Sequence, residues 1–326
     1  MAKKTETATT EKSKSAAVLT PREYVKPKEQ APIKNRYGFV MLFECVEGNY
    51  NGDPAAGNLP RTDAMTGHGF LTDVCQKRKI RNYVDLVAGK KPGGAIFVKD
   101  GSILNVTIEQ GYTDLGIDIN ADLPNGEARR KKGTGQNGEV ETVRQRMCES
   151  FWDIRTFGAV LSTGPNAGQV TGPLQITNAR SYDPVDVLEP TITRCAVTSQ
   201  AESDDHNGSN QTMGKKYFVP YALFRTYGFV NAARAQQTGF GQDDLDLLWD
   251  SLQNMWEHDR SASRGMMSLV KLVIFKHASP LGNAHDNDLF ARIKVRKNTE
   301  TPREIGDYDI TIDKDRMPAG VEMMVL

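Results

Sequence analysis

A long turn-rich loop that leads directly into a basic helix is the feature that most constrains this chain. Residues 37–46, just before the loop, are rich in aromatic and branched side chains and predict a buried strand. Residues 47–69 then carry glycine, proline, asparagine and aspartate at short intervals, a composition that permits tight turns with exposed backbone N–H groups. Loops of this length in a compact domain are usually functional or disordered. Followed by a basic helix, such a loop suits a phosphate backbone as ligand.

The helix after the loop is predicted to have one apolar and one cationic face. It begins near Thr72, whose hydroxyl suits an N-cap. The apolar stripe at helical spacing consists of Ile80, Tyr83, Val84 and Val87. At about 100° per residue, the side chains that lie away from this stripe are Arg78, Lys79, Arg81 and Asn82, with Lys77 nearer its edge. Two interpretations stay open here, namely a phosphate-binding surface and a solvated basic face.

The composition indicates a globular protein and argues against membrane and secreted proteins. The chain has 326 residues, of which 38% are hydrophobic and 25% charged, as in a globular protein with a real core. Its 41 basic and 41 acidic residues give a net charge of zero, so a nucleic-acid site has to be a local concentration of positive charge. No apolar run approaches the ~18 residues of a membrane span, and no secretory signal is visible near the N-terminus. We therefore expect a cytoplasmic protein without membrane contact. The four cysteines lack metal-ligand spacing, and we expect neither a metal nor a cofactor.

The domain organisation is predicted to be a tail followed by one decorated domain. Residues 1–36 contain nine basic and four acidic residues and few side chains that could anchor a core, which predicts a disordered basic tail. Residues 37–326 form the domain, with an insertion at 89–139 and a projecting hairpin at 188–216. Within the insertion, residues 103–109 alternate weakly and predict a strand, and residues 126–138 predict a mobile basic loop.

The remaining pattern predicts an α+β fold. The predicted helices are 140–161 and 241–258, and the predicted strands are 173–183, 191–199, 215–230, 266–276 and one or two in 305–326. This order suggests a split βαβ, ferredoxin-like layer, which RNA-recognition-motif-like modules also use to bind single-stranded RNA. The hairpin has a polar tip, which suits insertion into a partner or across a nucleic-acid strand. An ordinary surface hairpin is the alternative.

Several motifs between residues 37 and 293 resemble one family. They are Asn51-Gly52-Asp53-Pro54, Asn58-Leu59-Pro60-Arg61, Thr66-Gly67-His68-Gly69, Thr72-Asp73-Val74-Cys75, Lys77-Arg78-Lys79-Ile80-Arg81-Asn82-Tyr83, Asp153-Ile154-Arg155-Thr156-Phe157-Gly158-Ala159-Val160, Gly172-Pro173-Leu174-Gln175-Ile176-Thr177, Ile192-Thr193-Arg194-Cys195-Ala196-Val197 and Glu257-His258-Asp259-Arg260-Ser261-Ala262. Together they closely resemble the backbone subunit of the type I-C CRISPR surveillance complex (Cascade). The tail before residue 36 lies outside the resemblance.

The resemblance implies a specific architecture and function. It implies an RNA-recognition-motif-like palm with a finger insertion at 89–139 and a thumb hairpin at 188–216. It implies a subunit that does not cut, and whose copies polymerise helically along one CRISPR RNA. The thumb of each copy would displace a nucleotide from pairing and so hold the guide open for a target DNA strand. The further partners implied are the guide-processing or handle-binding subunit, the large subunit and the small subunit of Cascade.

The predicted contacts follow from holding guides of many different sequences. Phosphate and sugar contacts suit that task better than base readout does. The cations would bind phosphates, the loop side chains would add neutral hydrogen bonds, and a thumb side chain would wedge between bases. The predicted RNA-contacting residues are Asn51, Arg61, His68, Lys77, Arg78, Lys79, Arg81, Arg155, Gln175, Met213, Lys215 and Lys216.

Two other functions remain open at this stage. His258-Asp259 and Asp204-Asp205-His206 contain ligand types for a metal-dependent ribonuclease, which needs several converging ligands and an open coordination position. Arg260 and Arg264 would oppose a cation beside the first of these pairs. Magnesium-dependent RNA cleavage that disappears on Asp204→Ala or Asp53→Ala would favour the ribonuclease. The second alternative is a self-assembling protein without RNA, whose multimers would survive nuclease treatment.

Overall fold

A seven-stranded antiparallel sheet lies at the centre of the computed structural model, which describes residues 30–121, 137–205 and 212–326. The strands in chain order are β1 (Tyr37–Gly48), β2 (Gly52–Asp53), β3 (Leu59–Pro60), β4 (His68–Leu71), β5 (Gly158–Val160), β6 (Gln169–Thr171), β7 (Leu174–Ile176), β8 (Ala179–Pro184), β9 (Thr191–Arg194), β10 (Thr212–Lys215), β11 (Val219–Val230), β12 (Met266–His277), β13 (Ile293–Lys297), β14 (Tyr308–Ile312) and β15 (Val321–Val325). The helices are α1 (Asp73–Ala88), α2 (Leu104–Thr113), α3 (Asn137–Ser150), α4 (Trp152–Phe157), α5 (Gln200–Asp205), α6 (Ala232–Thr238), α7 (Gln242–His258) and α8 (Asp286–Phe290), with 3₁₀ turns at Pro54–Ala56 and Ile305–Asp307.

The order of the main sheet is β15-β12-β1-β11-β8-β4, with β7 also paired to β11. β1 lies between β11 and β12, so that Tyr37 pairs with Val230 on one side and with Lys276 on the other. Because successive side chains of a strand point to opposite faces, β1 contributes to two cores. Phe39 and Phe43 belong to the larger core, and Val40 and Leu42 to a second one on the other face. The predicted α+β class is confirmed, and the sheet is antiparallel.

Helices α1 and α7 cover the face of the main sheet that carries Phe39 and Phe43, called here the first face. Trp249 of α7 packs edge-on against Phe39, with ring centroids 5.4 Å apart, and Trp256 stacks on Phe43 at 4.7 Å. The sheet accommodates Phe39 because the facing residue on β11 is Gly228, where a Cβ would lie 2.0 Å from the Phe39 ring. The structure confirms the predicted helix that begins near residue 72 and the predicted helix 241–258. It also confirms the predicted strands 37–46 and 266–276, and the observed boundaries differ by one or two residues.

The second face of the sheet is covered only in part. Helix α8 and the β13–β14 hairpin pack on it, and they bury Leu289, Phe290 and Ile293 against Val40 and Leu42. The neighbouring side chains of β11 on this face, Tyr227 and Phe229, stay half-buried. Neither α8 nor β13 was predicted, because both are too short for periodicity to reveal them.

The insertion has a core of its own, and two predictions fail there. Residues 103–109 form the beginning of helix α2 and not a strand, because Ile108 and Tyr112 turn inward at helical spacing against Val143 and Met147 of α3. The predicted helix 140–161 is interrupted at Phe151, which is extended, so that α4 starts anew at Trp152. The break lets the backbone of Trp152 bond to Ala95, and Gly158, at φ 86°, ends α4 and leads into β5. The predicted basic loop at 126–138 lies almost wholly outside the described residues.

The N-terminal segment joins the body earlier than the predicted boundary at residue 36. Ile33 is buried, and its N–H donates to the carbonyl of Phe240 at 3.0 Å. Arg36 forms an ion pair with Asp286. Residues 30–36 are thus fixed to α8 and to the segment before α7, which is a correction to the tail prediction. The rest of the predicted tail lies outside the described residues.

The predicted projecting hairpin is present as β9 and β10, with Met213 opposite Thr193. β9 ends at Arg194 rather than at residue 199, and α5 follows it, so the predicted strand was too long. The second predicted strand, 215–230, is divided into the end of β10 and the long β11, with Phe218 bridged to Leu188 between them. The tip at residues 206–211 lies outside the described residues. Within the described ranges, no helix has the length and apolar character that crossing a bilayer requires.

Candidate nucleic-acid interface

The turn-rich loop is held in place by hydrogen bonds of its own. Tyr50, fully buried, donates from its hydroxyl to the carbonyl of Arg61 at 2.8 Å, and Asn49 donates from Nδ2 to the carbonyl of Asn58 at 2.7 Å. Asn58 adopts the left-handed conformation at φ 68°, which asparagine tolerates better than most residues. The stretch from residue 54 to 59 stays exposed. The loop is therefore an ordered surface that presents backbone groups.

Asn51 joins this loop to the start of α1. Its Oδ1 accepts hydrogen bonds from the backbone N–H of Thr72 at 3.1 Å and from the Thr72 hydroxyl at 3.2 Å. The Thr72 Oγ1 in turn accepts from the N–H of Cys75, which confirms Thr72 as the N-cap. The side-chain carbonyl of Asn51 is thus occupied in positioning the helix, and only the amide nitrogen remains for the predicted RNA contact.

Two cations of α1, one turn apart, lie over the same aromatic ring. The ring is Phe157, at the end of α4. The Lys77 Nζ is 5.8 Å from its centroid, and the Arg81 guanidinium carbon is 4.8 Å away. Lys77 also pairs with Asp73 at 2.9 Å and Arg81 with Asp153 at 2.8 Å, and their side chains are 18% and 12% exposed. We call Lys77, Arg81 and Phe157 the cation–aromatic cluster. The charged groups of Lys77 and Arg81 are held in position, and each already forms an ion pair with a carboxylate.

Arg78 is the most accessible cation of α1. Its side chain is 53% exposed, and its Nε donates to the Oδ1 of Asn82 at 3.3 Å. A carboxylate oxygen of Asp100 lies 3.8 Å from it, too far for a direct hydrogen bond. Arg78 directly follows Lys77 on the helix and adds a charge that is more accessible than those of Lys77 and Arg81.

Lys79 does not lie on this surface, contrary to the sequence prediction. Its side chain is 3% exposed, pairs with Asp259 and lies 5.8 Å from the Trp256 ring. Asp259 also forms an ion pair with Arg264, with 2.9 Å between its Oδ2 and the Arg264 Nε. Burial lowers the pKa of Lys79 below its usual value. The reason for the inward position is the contact between α1 and α7, whose C-terminal end supplies the anion.

Arg155 is likewise buried, and the predicted RNA contact does not fit its position. It is fully inaccessible and holds Asp244 with two bonds, from Nε to Oδ2 at 2.9 Å and from Nη2 to Oδ1 at 2.7 Å. It also donates to the carbonyl of Gly93 at 2.9 Å. Asp244 accepts from the N–H of Gly241 and so caps α7. Arg155 therefore joins the insertion to α7, and neither it nor Lys79 belongs to the candidate interface.

The remaining loop predictions fall on surface positions with internal partners. Arg61 pairs with Asp53 at 3.1 Å. The Nδ1 of His68 lies 3.0 Å from the carbonyl oxygen of Ser181, so that this nitrogen carries the proton. Gln175 is exposed on β7, and its Nε2 is 3.4 Å from the carbonyl of Gly172. Each of these side chains reaches solvent but has one partner already.

The thumb predictions lie together on the separate β9–β10 hairpin. Met213 is 82% exposed, as a wedge between bases would have to be. Lys215 bonds to Glu189, which raises the pKa of this lysine above its usual value. Lys216 lies over the Phe218 ring at 5.9 Å. This hairpin is thus an accessible apolar and basic element.

Sequence reasoning missed Phe157 as the centre of the cluster and missed Asp73 and Asp153 as its anions. The sequence feature that could have indicated Phe157 is Gly158 directly after it, because Gly158 and Gly172 allow two backbone segments to approach closely. A Cβ at Gly172 would lie 2.3 Å from the carbonyl oxygen of Thr156, so the two backbones meet beside the ring. Arg180, with a 60% exposed side chain, was also missed.

The alternative metal sites find little support in this geometry. Asp259 is engaged by Lys79 and Arg264, and His258 lies beside the Tyr83 ring, with centroids 5.6 Å apart. Across residues 30–121, 137–205 and 212–326, no group of three or more His, Cys, Asp or Glu side chains is placed to hold a metal ion. The segment around His206 lies outside these ranges.

A family model matches most of this chain. The sequence model of the family described as CRISPR-associated protein Cas7 matches residues 35–313. CRISPR-associated protein Cas7 of Haloferax volcanii is 27% identical over 303 residues, which cover 85% of this chain and 81% of that protein.

Among solved structures, a chain of a pre-nicking CRISPR RNA-guided surveillance complex is similar at a TM-score of 0.46, with 13% identity over 74% of this chain and 78% of the other. A chain of a second CRISPR RNA-guided surveillance complex has a TM-score of 0.40, with 15% identity over 74% and 68%. The family match extends from residue 35 through β14, and so takes in the loop, α1, the β9–β10 hairpin and every strand of the main sheet except β15. This chain therefore belongs to the Cas7 family of CRISPR-associated proteins.

Proposed function

We propose that this protein is the RNA-binding backbone subunit of a type I-C CRISPR surveillance complex. The observation that carries the proposal is the cation–aromatic cluster, with Lys77 and Arg81 both over the Phe157 ring and the exposed Arg78 next to Lys77 on the helix. Cations fixed on a rigid helix position a phosphate backbone without reading its sequence. Membership of the Cas7 family supports the same ligand.

The architecture suggests a division of roles. The main sheet would be the palm, the insertion between α1 and β5 the fingers, and the β9–β10 hairpin the thumb. Copies of the subunit would polymerise helically along one CRISPR RNA, with Met213 as the side chain that wedges between bases. The complex would include the guide-processing, large and small subunits, work in the cytoplasm, and present the guide to a target DNA strand. The subunit itself would not cut.

Charge reversal of the cluster tests the proposal. Lys77→Glu combined with Arg81→Glu should weaken binding of guide RNAs of unrelated sequence to the same degree, because these cations would bind the phosphate backbone. The slope of log affinity against log salt should fall by about 0.7 for each phosphate of a single strand that is no longer neutralised. The measurement is filter binding at several salt concentrations, with circular dichroism to establish folding.

The matched control is Lys314→Glu combined with Arg316→Glu. Both residues lie at the surface in the turn after β14, and the change in net charge is the same. The control should bind as the wild type does. Weaker binding of one guide sequence only, or equal weakening in the control, would overturn the backbone-binding role. Mass measurement of the RNA-loaded particle with and without nuclease then tests whether several copies share one RNA.

A further inference from the structure

The open part of the second sheet face carries two arginines side by side. Arg180 on β8 and Arg225 on β11 are direct neighbours in the register of these antiparallel strands, so their side chains emerge on the same face. Tyr227 and Phe229 follow Arg225 at alternate positions and share that face. The large core under α1 and α7 receives the other side chains of β11, such as Phe224 and Val230. These arginines are therefore on the face opposite to α1.

Such a pair of arginines needs negative charge nearby. Like charges directly opposite each other in a sheet destabilise it. Arg180 has Asp63 at 3.0 Å. Arg225 lies between rings, with its guanidinium carbon 5.0 Å from the centroids of both Tyr182 and Tyr227. Over the parts of the chain that the structure describes, no carboxylate oxygen comes within 4.0 Å of Arg225. An anion between the two arginines would complete the charge balance.

A cleft beside Arg225 has the size and lining for one base. Its volume is about 290 Å³, and its walls include Arg225, Tyr227, Phe229, Asn287 and Phe290. This volume is at the lower limit of small-ligand pockets, about 300 Å³. Tyr227 is already engaged by Arg225, at 5.0 Å, and by Phe290, which stacks on it at 4.9 Å. Phe229 is tilted by 45° to Phe290 and half-buried, and it is the ring that remains for a ligand.

We propose that this arginine–aromatic cleft, lined by Arg225, Tyr227, Phe229, Asn287 and Phe290, is together with the adjacent Arg180 a second binding site for single-stranded nucleic acid. A phosphate would lie between the two arginines, one base would stack on Phe229, and the amide of Asn287 would bond to the base edge. The phosphates and bases that alternate along a single strand would meet cations and aromatic rings that alternate on the protein surface, as in other single-strand-binding proteins. The site lies on the other side of the sheet from the cation–aromatic cluster, and so goes beyond the proposed function.

Photocrosslinking to the full-length protein tests this site directly. The probes are a decamer of RNA containing 4-thiouridine and a decamer of DNA containing 4-thiothymidine, and the two arms distinguish the nucleic acids. Trypsin cleaves after Arg225 and Arg234, so the peptide 226–234 contains both Tyr227 and Phe229. We expect a crosslink on that peptide with at least one probe. In the Lys77→Glu, Arg81→Glu variant this crosslink should persist, because the other face is unchanged.

Two variants and a control establish the chemistry. Arg225→Gln should reduce the crosslink, now on the peptide 217–234, by about tenfold at subsaturating probe, the ratio expected for removal of one charge-assisted hydrogen bond. Phe229→Leu should reduce it while keeping the apolar volume. Arg296→Gln, an exposed arginine on β13, should have no effect. No crosslink at 226–234 in the wild type, an equal yield in Arg225→Gln, or displacement of the probe by polyglutamate as readily as by oligonucleotide would overturn the proposal.

Discussion

The two sides of helix α1 use the same kinds of side chain in opposite ways. Lys79 points inward, is 3% exposed and is paired with Asp259. Lys77, two residues earlier, lies at the surface beside Phe157 and is 18% exposed. Because two residues correspond to about 200° around a helix, neighbouring lysines in one basic run face different environments. The number of cations in a run therefore does not give the charge that a ligand can reach.

The difference also shows what keeps each cation in place. A buried charge has to be paired and hydrogen-bonded, or its desolvation cost is not offset. Lys79 meets this condition through Asp259, and Arg155 meets it through both oxygens of Asp244. Lys77 and Arg81 keep 18% and 12% of their side chains exposed, so a phosphate can approach them from solvent. The inward pairs hold α7 against α1 and the insertion, and the outward cations remain for binding.

The largest expected effect concerns the innermost pair. Arg155→Met should destabilise the protein by about 3–5 kcal/mol, because Asp244 would keep its charge in a buried site without its partner. The measurement is denaturant unfolding followed by tryptophan fluorescence. Arg144→Met is the matched control, since Arg144 pairs with Glu141 on the exposed side of α3, and its cost should stay below about 1 kcal/mol. Equal costs for both variants would remove the distinction between inward and surface pairs.

A smaller effect is expected at Lys79. Lys79→Met should cost about 1–3 kcal/mol, less than Arg155→Met, because Asp259 retains Arg264. Guide RNA affinity, measured by filter binding on the folded variant, should stay within about twofold of the wild type, since Lys79 has no access to a ligand. A clear decrease of affinity in the folded variant would place Lys79 at the interface and break the comparison.

The pH dependence of the Lys79 contribution has a definite sign. The pKa of Lys79 is lowered on folding, so the folded state binds fewer protons than the unfolded state as the pH approaches the ordinary lysine value of 10.5. Stability rises with pH wherever the unfolded state binds more protons. The stability of the wild type relative to Lys79→Met should therefore increase on approach to pH 10.5. A flat difference between the two proteins over that interval would contradict the burial of a charged lysine.

The same contrast explains what the sequence could predict. β1, α1 and α7 were recognisable because their periodic apolar residues decide their own environment, as in Leu245, Leu248 and Leu252 on α7. The inward direction of Lys79 and Arg155 could not be predicted, because it depends on their ion pairs with Asp259 and Asp244, which are remote in the sequence. The break at Phe151 was missed for the same reason, since the bond from Trp152 to Ala95 crosses between segments. Periodicity carries local information, and the candidate site depends on tertiary partners.

The smallest expected effect lies at Arg78, the accessible cation of α1. Arg78→Ala should change stability by no more than about 0.5 kcal/mol, because the side chain is mostly solvated. It should still lower the log–log salt slope of guide binding by about 0.7, as expected when one phosphate fewer is neutralised. Arg260→Ala is the matched control, since Arg260 is exposed and paired with Glu257 at the end of α7. If Arg78→Ala instead cost about 2 kcal/mol of stability and left the salt slope unchanged, the outward face of α1 would be structural as well. The cations of the two sides would then differ in exposure but not in purpose.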